Sequence, residues 1–202
     1  MAQRWNANLH AFDALLRRVP ASARTGLDVG CGEGETARRL RAVVPSVVGL
    51  DPDGPSIERA RTYGDDITYV CGDVFDADLR PSTFDVVTSV AMLHHIPHED
   101  GLRRLGELVS PGGTLLVVGL SFSRTAADHL LDVRDAIAIR RYTLTRRQWH
   151  TTAPIVWPPP HSYDEVRILS AQVLPGCLVE RVPYFRYTIT WTRPSADDET
   201  GE

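Results

Sequence analysis

Short apolar runs alternate along this chain with stretches whose apolar residues recur every three or four positions. The runs lie at about 26–30 (Gly26-Leu-Asp-Val-Gly30), 46–50, 67–71, 84–89 and 114–119, bounded by Gly, Pro, Asp or Ser. Their length and their Val, Ile and Leu content predict strands. Between them, about 34–43, 53–63 and 97–109 carry helical spacing. Asp53 and Pro55 suit the start of the middle helix. Before them all, residues 5–19 place Leu9, Phe12, Leu15, Leu16 and Val19 on one helical face, and Pro20 ends the helix. Strands that are apolar throughout and separated by helices predict an α/β fold: a parallel sheet with helices on both faces.

After residue 120 the pattern changes. Residues 121–162 are expected to hold a helix at about 125–142, the pairs Arg140-Arg141 and Arg146-Arg147, and the Trp157-Pro-Pro-Pro-His161 loop. A segment this long inside a compact domain reads as a binding element on the acceptor side of a pocket. Trp157, Tyr163, Tyr184 and Tyr187 are candidates to wall that pocket. The arginines, with Trp149 and His150 after them, suit a nucleic-acid backbone or a phosphorylated or carboxylated substrate, and at least two of them suit a solvated helix end better. Ser162 and Glu165 have capping-box spacing for a helix to about Leu174, which Gly176 terminates. Residues 177–185 and 186–192 read as an antiparallel pair of strands. The expectation is one domain over 1–194, an N-terminal lid within 1–24, and a loose acidic tail over 195–202.

With 202 residues, 43% hydrophobic and 24% charged, the chain has the composition of a globular domain. The net charge of −4 argues against a dedicated nucleic-acid binder. Cys31, Cys71 and Cys177 are too widely spaced for a zinc site or a disulfide frame and read as reduced thiols in a cytoplasmic protein. No stretch reaches the ~20 apolar residues that span a bilayer.

The chemistry concentrates at strand ends, where parallel sheets bind ligands. The first strand runs into Gly30-Cys-Gly-Glu-Gly34, a G-x-G-x-G turn opening a helix. Glycines there let a ligand approach bare backbone. The spacing fits neither G-x-G-x-x-G nor the P-loop, which also needs a Lys. The second strand ends in Asp51, seventeen residues past Gly34, and the third in Gly72-Asp73. One aspartate at a strand end is ordinary turn chemistry. Several beside a glycine run favour a nucleoside whose ribose hydroxyls meet Asp51. The fourth strand ends in Ser89-Val-Ala-Met-Leu-His94-His95, and its histidines are candidate bases. Adjacent histidines are expected to point in different directions, so no metal site is expected.

These motifs, with Pro111-Gly-Gly113 and the following strand, resemble the class I S-adenosylmethionine-dependent methyltransferases over about 25–120. The whole chain, from Trp5-Asn-Ala-Asn-Leu-His10 to Arg186-Tyr-Thr-Ile-Thr-Trp191, resembles a small actinobacterial branch of them. The resemblance implies a Rossmann-like, seven-stranded, mostly parallel sheet with the last strand antiparallel. It also implies S-adenosylmethionine as cofactor and S-adenosylhomocysteine as product. By position, Gly30, Cys31, Gly32 and Gly34 would cradle the methionine part and ribose, with Asp28 holding the loop and approaching the amino acid end of the cofactor. Asp51 with Pro52 would take the ribose, and Gly72, Asp73 and Val74 the adenine. Ser89, Val90 and Ala91 would line the sulfonium, and Trp5, Asn6 and His10 would close over the cofactor. His95, and less directly His94, would be the catalytic residues.

The expected reaction is methyl transfer to an O, N or C nucleophile of a small molecule, secondary metabolites included, by a monomer or homodimer. The alternatives are RNA or protein methylation, and a non-catalytic cofactor-binding sensor or partner protein. An Asn-Pro-Pro-Tyr type of motif, used by many methylators of base amino groups, is absent after the fourth strand, where Ser89-Val-Ala-Met92 stands.

Overall fold

A computed structural model describes residues 6–124, 140, 158–183 and 185–195. Trp5, the core of the expected 125–142 helix, Arg141, Arg146, Arg147, Trp149, His150, Trp157, Tyr184 and residues 196–202 lie outside the described residues.

Five strands run parallel: β1 (Thr25–Val29), β2 (Ser46–Asp51), β3 (Thr68–Cys71), β4 (Phe84–Val90) and β5 (Val109–Leu120). β6 (Leu178–Val182) and β7 (Arg186–Thr192) complete a sheet of order β3-β2-β1-β4-β5-β7-β6. β7 is antiparallel to both neighbours. The helices are α1 (Ala7–Leu15), α2 (Glu35–Arg41), α3 (Gly54–Arg61), α4 (His98–Leu108) and α5 (Tyr163–Val173). Strand order reverses between β1 and β4, and the crevice that opens at such a switch point is where an α/β sheet binds its ligand.

The two-residue period of a strand sends alternate side chains to opposite faces. On β5, Leu115 and Val117 join the core containing Leu102, Leu105, Leu108 and Val166 of α4 and α5. Leu116 and Val118 join the core containing Phe12, Leu15, Leu40 and Ile57 of α1, α2 and α3. Both faces are therefore covered, which is why the strands read as unbroken apolar runs. Local capping agrees with the sequence pattern. Asp53 accepts from the Ser56 N–H at 3.0 Å to start α3, and Ser162 and Glu165 form a full capping box on α5.

Three boundaries differ from expectation. The N-terminal helix is α only to Leu15 and tightens into a 3-10 turn over Leu16–Arg18. Arg18 there pairs with Glu180 at 2.6 Å and Thr190 at 3.0 Å, pulling the chain toward β6 and β7. Pro111-Gly-Gly113 is not a free turn before a strand but part of β5, which pairs from Val109 opposite Phe84. Gly112 and Gly113 exchange backbone hydrogen bonds with Arg193 at 2.9 Å, so the β7 end satisfies that segment. Gly112 takes a φ of +74° at the register irregularity. β6 stops at Val182, and Phe185 turns the chain with a φ of +62°. Among the described residues, no helix is long and apolar enough to cross a membrane, and the three cysteines are free.

Candidate active site

The ends of β1, β2, β3 and β4 open into a cavity of about 560 Å³. At the β1 end, Gly30 and Gly32 adopt φ values of +76° and +52°, which glycine alone takes without strain. Gly30 and Cys31 both donate to the Leu50 carbonyl, tying the loop to β2. A Cβ on Gly30 would stand 2.7 Å from Met92, whereas one on Gly32 would meet nothing within 4 Å. Both glycines and Cys31 line the cavity, while Gly34 does not. Gly34 caps α2 instead and lies against the Tyr69 ring.

Asp51 is the hub of the β2 end. Its Oδ2 accepts from Gly32 N–H at 2.8 Å and its Oδ1 from Asp53 N–H at 2.9 Å. A carboxylate has about four lone-pair sites, so acceptor capacity remains on the cavity side. Pro52 lines the wall beside it. At the β3 end Gly72, Asp73 and Val74 line the cavity, with Asp73 Oδ1 accepting from Phe75 N–H at 2.8 Å.

Asp28 is 1% exposed and sits beneath the loop, outside the lining. Thr88 donates to its Oδ1 at 2.8 Å, and its Oδ2 has no partner among the described residues. Burial, opposed by the Thr88 bond and reinforced by the Asp51 charge, pushes its pKa from 3.8 up to about 7. Burial likewise pushes the Cys31 thiol upward, so that sulfur is an inert packing group.

After β4, Val90, Ala91, Met92 and His95 line the cavity. Ala91 holds a left-handed φ of +56°, and its N–H donates to Val118 at 2.8 Å. A non-glycine residue in this conformation is a local strain that the surrounding sheet enforces. Ser89 faces the interior, fully buried, and its hydroxyl lacks a partner among the described residues. His94 and His95 do not diverge as expected. Their rings lie 4.1 Å apart, tilted by 39°. Burial lowers the His95 pKa while the Asp51 charge opposes that shift. His94 stands behind it, off the cavity, with its pKa lowered to about 4 by burial and then by His95 and Arg186. His95, which is exposed, is therefore the one of the two that faces the cavity.

Asn6, Asn8 and Leu9 of the α1 segment form the opposite wall. His10 parts from them: it is exposed and lines a separate cavity of about 260 Å³ between α1 and the β6–β7 pair. Of the aromatic residues considered for an acceptor pocket, Tyr187 is buried in the core against Gly119, and Tyr163 donates to the Val179 carbonyl at 3.1 Å.

Sequence reading missed Glu33, Glu35, Thr36, Asp53 and Ser56, all of which line the cavity, as does Asn8 of the segment expected to close over it. Glu33 and Glu35 alternate with the glycines and were the available signal, since a loop that turns back on β2 must aim some of its side chains inward. Five carboxylates (Glu33, Glu35, Asp51, Asp53, Asp73) therefore line the cavity, and among the described residues no Lys or Arg does. Three of them are ion-paired, Glu33 and Asp53 with Arg59 and Glu35 with Arg38 and Arg39. Val29, Leu50, Val74, Val90, Met92 and Ile96 supply its apolar floor. Such a lining suits a cation that carries hydroxyls and a flat apolar ring.

The methyltransferase domain family model matches residues 27–117. An uncharacterised methyltransferase of Mycobacterium tuberculosis is 39% identical over 198 residues, covering 96% of this chain and 100% of that one. The ubiquinone biosynthesis O-methyltransferase of Thiobacillus denitrificans is 33% identical over 147 residues, 70% of this chain and 62% of that one. In fold, the chain is similar to phosphoethanolamine N-methyltransferase 2 of Haemonchus contortus, solved with phosphomonomethylethanolamine and S-adenosylhomocysteine. That likeness has a TM-score of 0.65 at 16% identity and covers 95% of this chain and 53% of that one.

Proposed function

This chain belongs to the class I S-adenosylmethionine-dependent methyltransferases, and we propose that it methylates an O, N or C nucleophile on a small molecule through the cavity at the β1–β4 ends. The observation that carries this reading is the recessed, carboxylate-lined cavity under the α1 segment, with His95 at its β4 end. The fit to the cofactor is chemical. Gly32 leaves open backbone where a ligand chain would lie, Asp51 and Asp73 offer acceptors to hydroxyl and amino groups, and the acidic lining suits a sulfonium.

Bound there, the cofactor would supply a methyl group already activated by positive sulfur, with a neutral thioether as the leaving group when an acceptor nucleophile takes the methyl. The protein's task is then mainly alignment. The Gly30–Gly32 loop and Leu50 set the depth at which the ligand lies. Asp51 fixes the ribose end through the same carboxylate that holds Gly32. Ala91 turns the backbone toward the sulfur end, and its N–H bond to the Val118 carbonyl at 2.8 Å holds that turn. His95 removes the proton of a hydroxyl or ammonium acceptor, since its lowered pKa leaves a free imidazole near neutral pH.

A small acceptor is supported by the size of the cavity, by the covering α1 segment, and by the small-molecule substrates named for the Thiobacillus and Haemonchus enzymes. The chain's net charge of −4 offers no general attraction to nucleic acid. Incubation with methyl-labelled S-adenosylmethionine and separate metabolite, RNA and protein fractions of an extract tests this. Label is expected in the metabolite fraction. Label confined to RNA or protein overturns the small-molecule reading, and tight cofactor binding without transfer to any fraction overturns the catalytic one.

A further inference from the structure

The two ends of the chain meet at the cavity wall. Arg186 opens β7, opposite Leu120 of β5, and its Nε donates to Oδ1 of Asn8 in α1 at 2.6 Å. A guanidinium offers only N–H donors, so this bond settles which way the Asn8 amide faces. The oxygen is toward Arg186, and the NH2 group, with two N–H donors, is left for the other side. Asn6 is oriented by the same logic. Its Oδ1 accepts from Leu9 N–H at 2.9 Å, which leaves its own NH2 group outward. Both asparagines line the cavity.

We propose that Asn8, held by Arg186 and seconded by Asn6, receives the carboxylate of the cofactor's amino acid end. This rests on the reading that the cavity takes the cofactor. With the nucleoside against Asp51 and Asp73 at the β2 and β3 ends, the amino acid chain runs over the glycine loop toward α1. The carboxylate then meets a wall that, among the described residues, carries five acidic side chains and no Lys or Arg. On the α1 side of that wall the side-chain donors are the amides of Asn6 and Asn8, while the Thr36 and Ser56 hydroxyls and His95 line it elsewhere; a hydrogen bond to a charged group is stronger than one between neutral partners. Arg186 does not line the cavity, so it is a positioning residue. Its burial lowers its pKa only to about 10, so it stays cationic at neutral pH and polarises the Asn8 amide. A buried cation behind an amide brings positive potential to the carboxylate without placing a charge beside the sulfonium.

The test compares binding of S-adenosylhomocysteine with that of 5′-methylthioadenosine, which keeps adenine, ribose and sulfur and lacks the amino acid. In Asn8→Ala, affinity for S-adenosylhomocysteine is expected to fall about tenfold, with 5′-methylthioadenosine within about twofold of the unmodified protein. Asn8→Asp keeps an oxygen for Arg186, removes the donors, and is expected to show the same selective loss. Arg186→Gln, or the milder Arg186→Lys where Gln does not fold, is expected to share that selectivity. Damage to the lid alone would weaken both ligands together. Equal weakening of both, or no change in either, overturns the role of Asn8; the same outcome in the Arg186 variants alone overturns the positioning role. Weak 5′-methylthioadenosine binding by the unmodified protein, or binding indifferent to Asp51→Ala, refutes the cavity reading separately.

Discussion

Asp51 Oδ2 accepts the Gly32 N–H at 2.8 Å, so the carboxylate that ends β2 also fixes the turn that ends β1. One side chain thus couples the loop's shape to the proposed ribose site. Asp51→Ala is expected to weaken S-adenosylhomocysteine binding by ~1–3 kcal/mol, the range for losing hydrogen bonds to a charged acceptor. Asp51→Asn keeps the shape but faces one of the two backbone N–H donors with an amide N–H, so it is expected to fail in the same direction. Calorimetric titration checks both, and unchanged affinity would remove Asp51 from the ribose site.

His95 is expected to act on turnover more than on binding. Once an acceptor has been found, His95→Ala should lower kcat by ~100-fold or more for a hydroxyl or ammonium acceptor. Its cofactor affinity should stay within about twofold. Burial lowers the pKa of this histidine from 6.5, so its basic form is present at neutral pH and is lost as pH falls below that value. The pH–kcat profile of the unmodified protein should therefore drop on its acid side, and that limb should be absent in the variant. Equal turnover of both proteins from pH 6 to 9 would exclude the base role.

Much of this site is legible in sequence because it is local. Gly30, Gly32, Asp51 and Asp73 each sit at the end of a strand, and a parallel sheet sends all strand ends to one edge. What could not be read depends on contacts between distant residues. Asn8 and Arg186 are 178 positions apart and meet because β7 inserts between β5 and β6. His10 shares a helical face pattern with Asn6, yet Asn6 is the N-cap, and the helix turns His10 toward β6 and β7 instead. Gly34 matches the glycine spacing, but its place at the start of α2 turns it to Tyr69. Pro111 and the glycines after it read as a turn, and only Arg193, eighty residues later, explains why they pair as strand.

Asp28 makes the fold lose stability as pH rises toward neutral. Its pKa in the folded state is about 7 against an ordinary 3.8. Between those values the unfolded chain gives up a proton that the folded chain keeps, so stability falls as pH rises through that window. The full effect is at most about 4 kcal/mol. Asp28→Asn removes the ionisation and still accepts from Thr88. Chemical denaturation at pH 5 and pH 8 should show the unmodified protein losing stability relative to the variant on going to pH 8. A constant difference between the two would show that Asp28 is ionised in the fold throughout.

His98 works in the opposite sense. It is 5% exposed at the start of α4, faces the His161 and Tyr187 rings, and has no partner for Nε2 among the described residues. Burial, then the nearby His161, lowers its pKa from 6.5 to about 4. As pH falls through that window the unfolded chain binds a proton that the folded chain refuses, so stability is present above 6.5 and is lost toward 4. His98→Gln should flatten that loss by up to about 3 kcal/mol. Identical acid unfolding of both proteins would show that His98 is protonated within the fold.

A crystal structure with S-adenosylhomocysteine bound tests the central claim most directly. The account predicts the ribose hydroxyls within hydrogen-bonding distance of Asp51, the adenine beside Asp73 and Val74, and the sulfur facing Ala91 and His95. Ligand bound away from the β1–β4 ends, or bound there with Asp51 touching no hydroxyl, would contradict it.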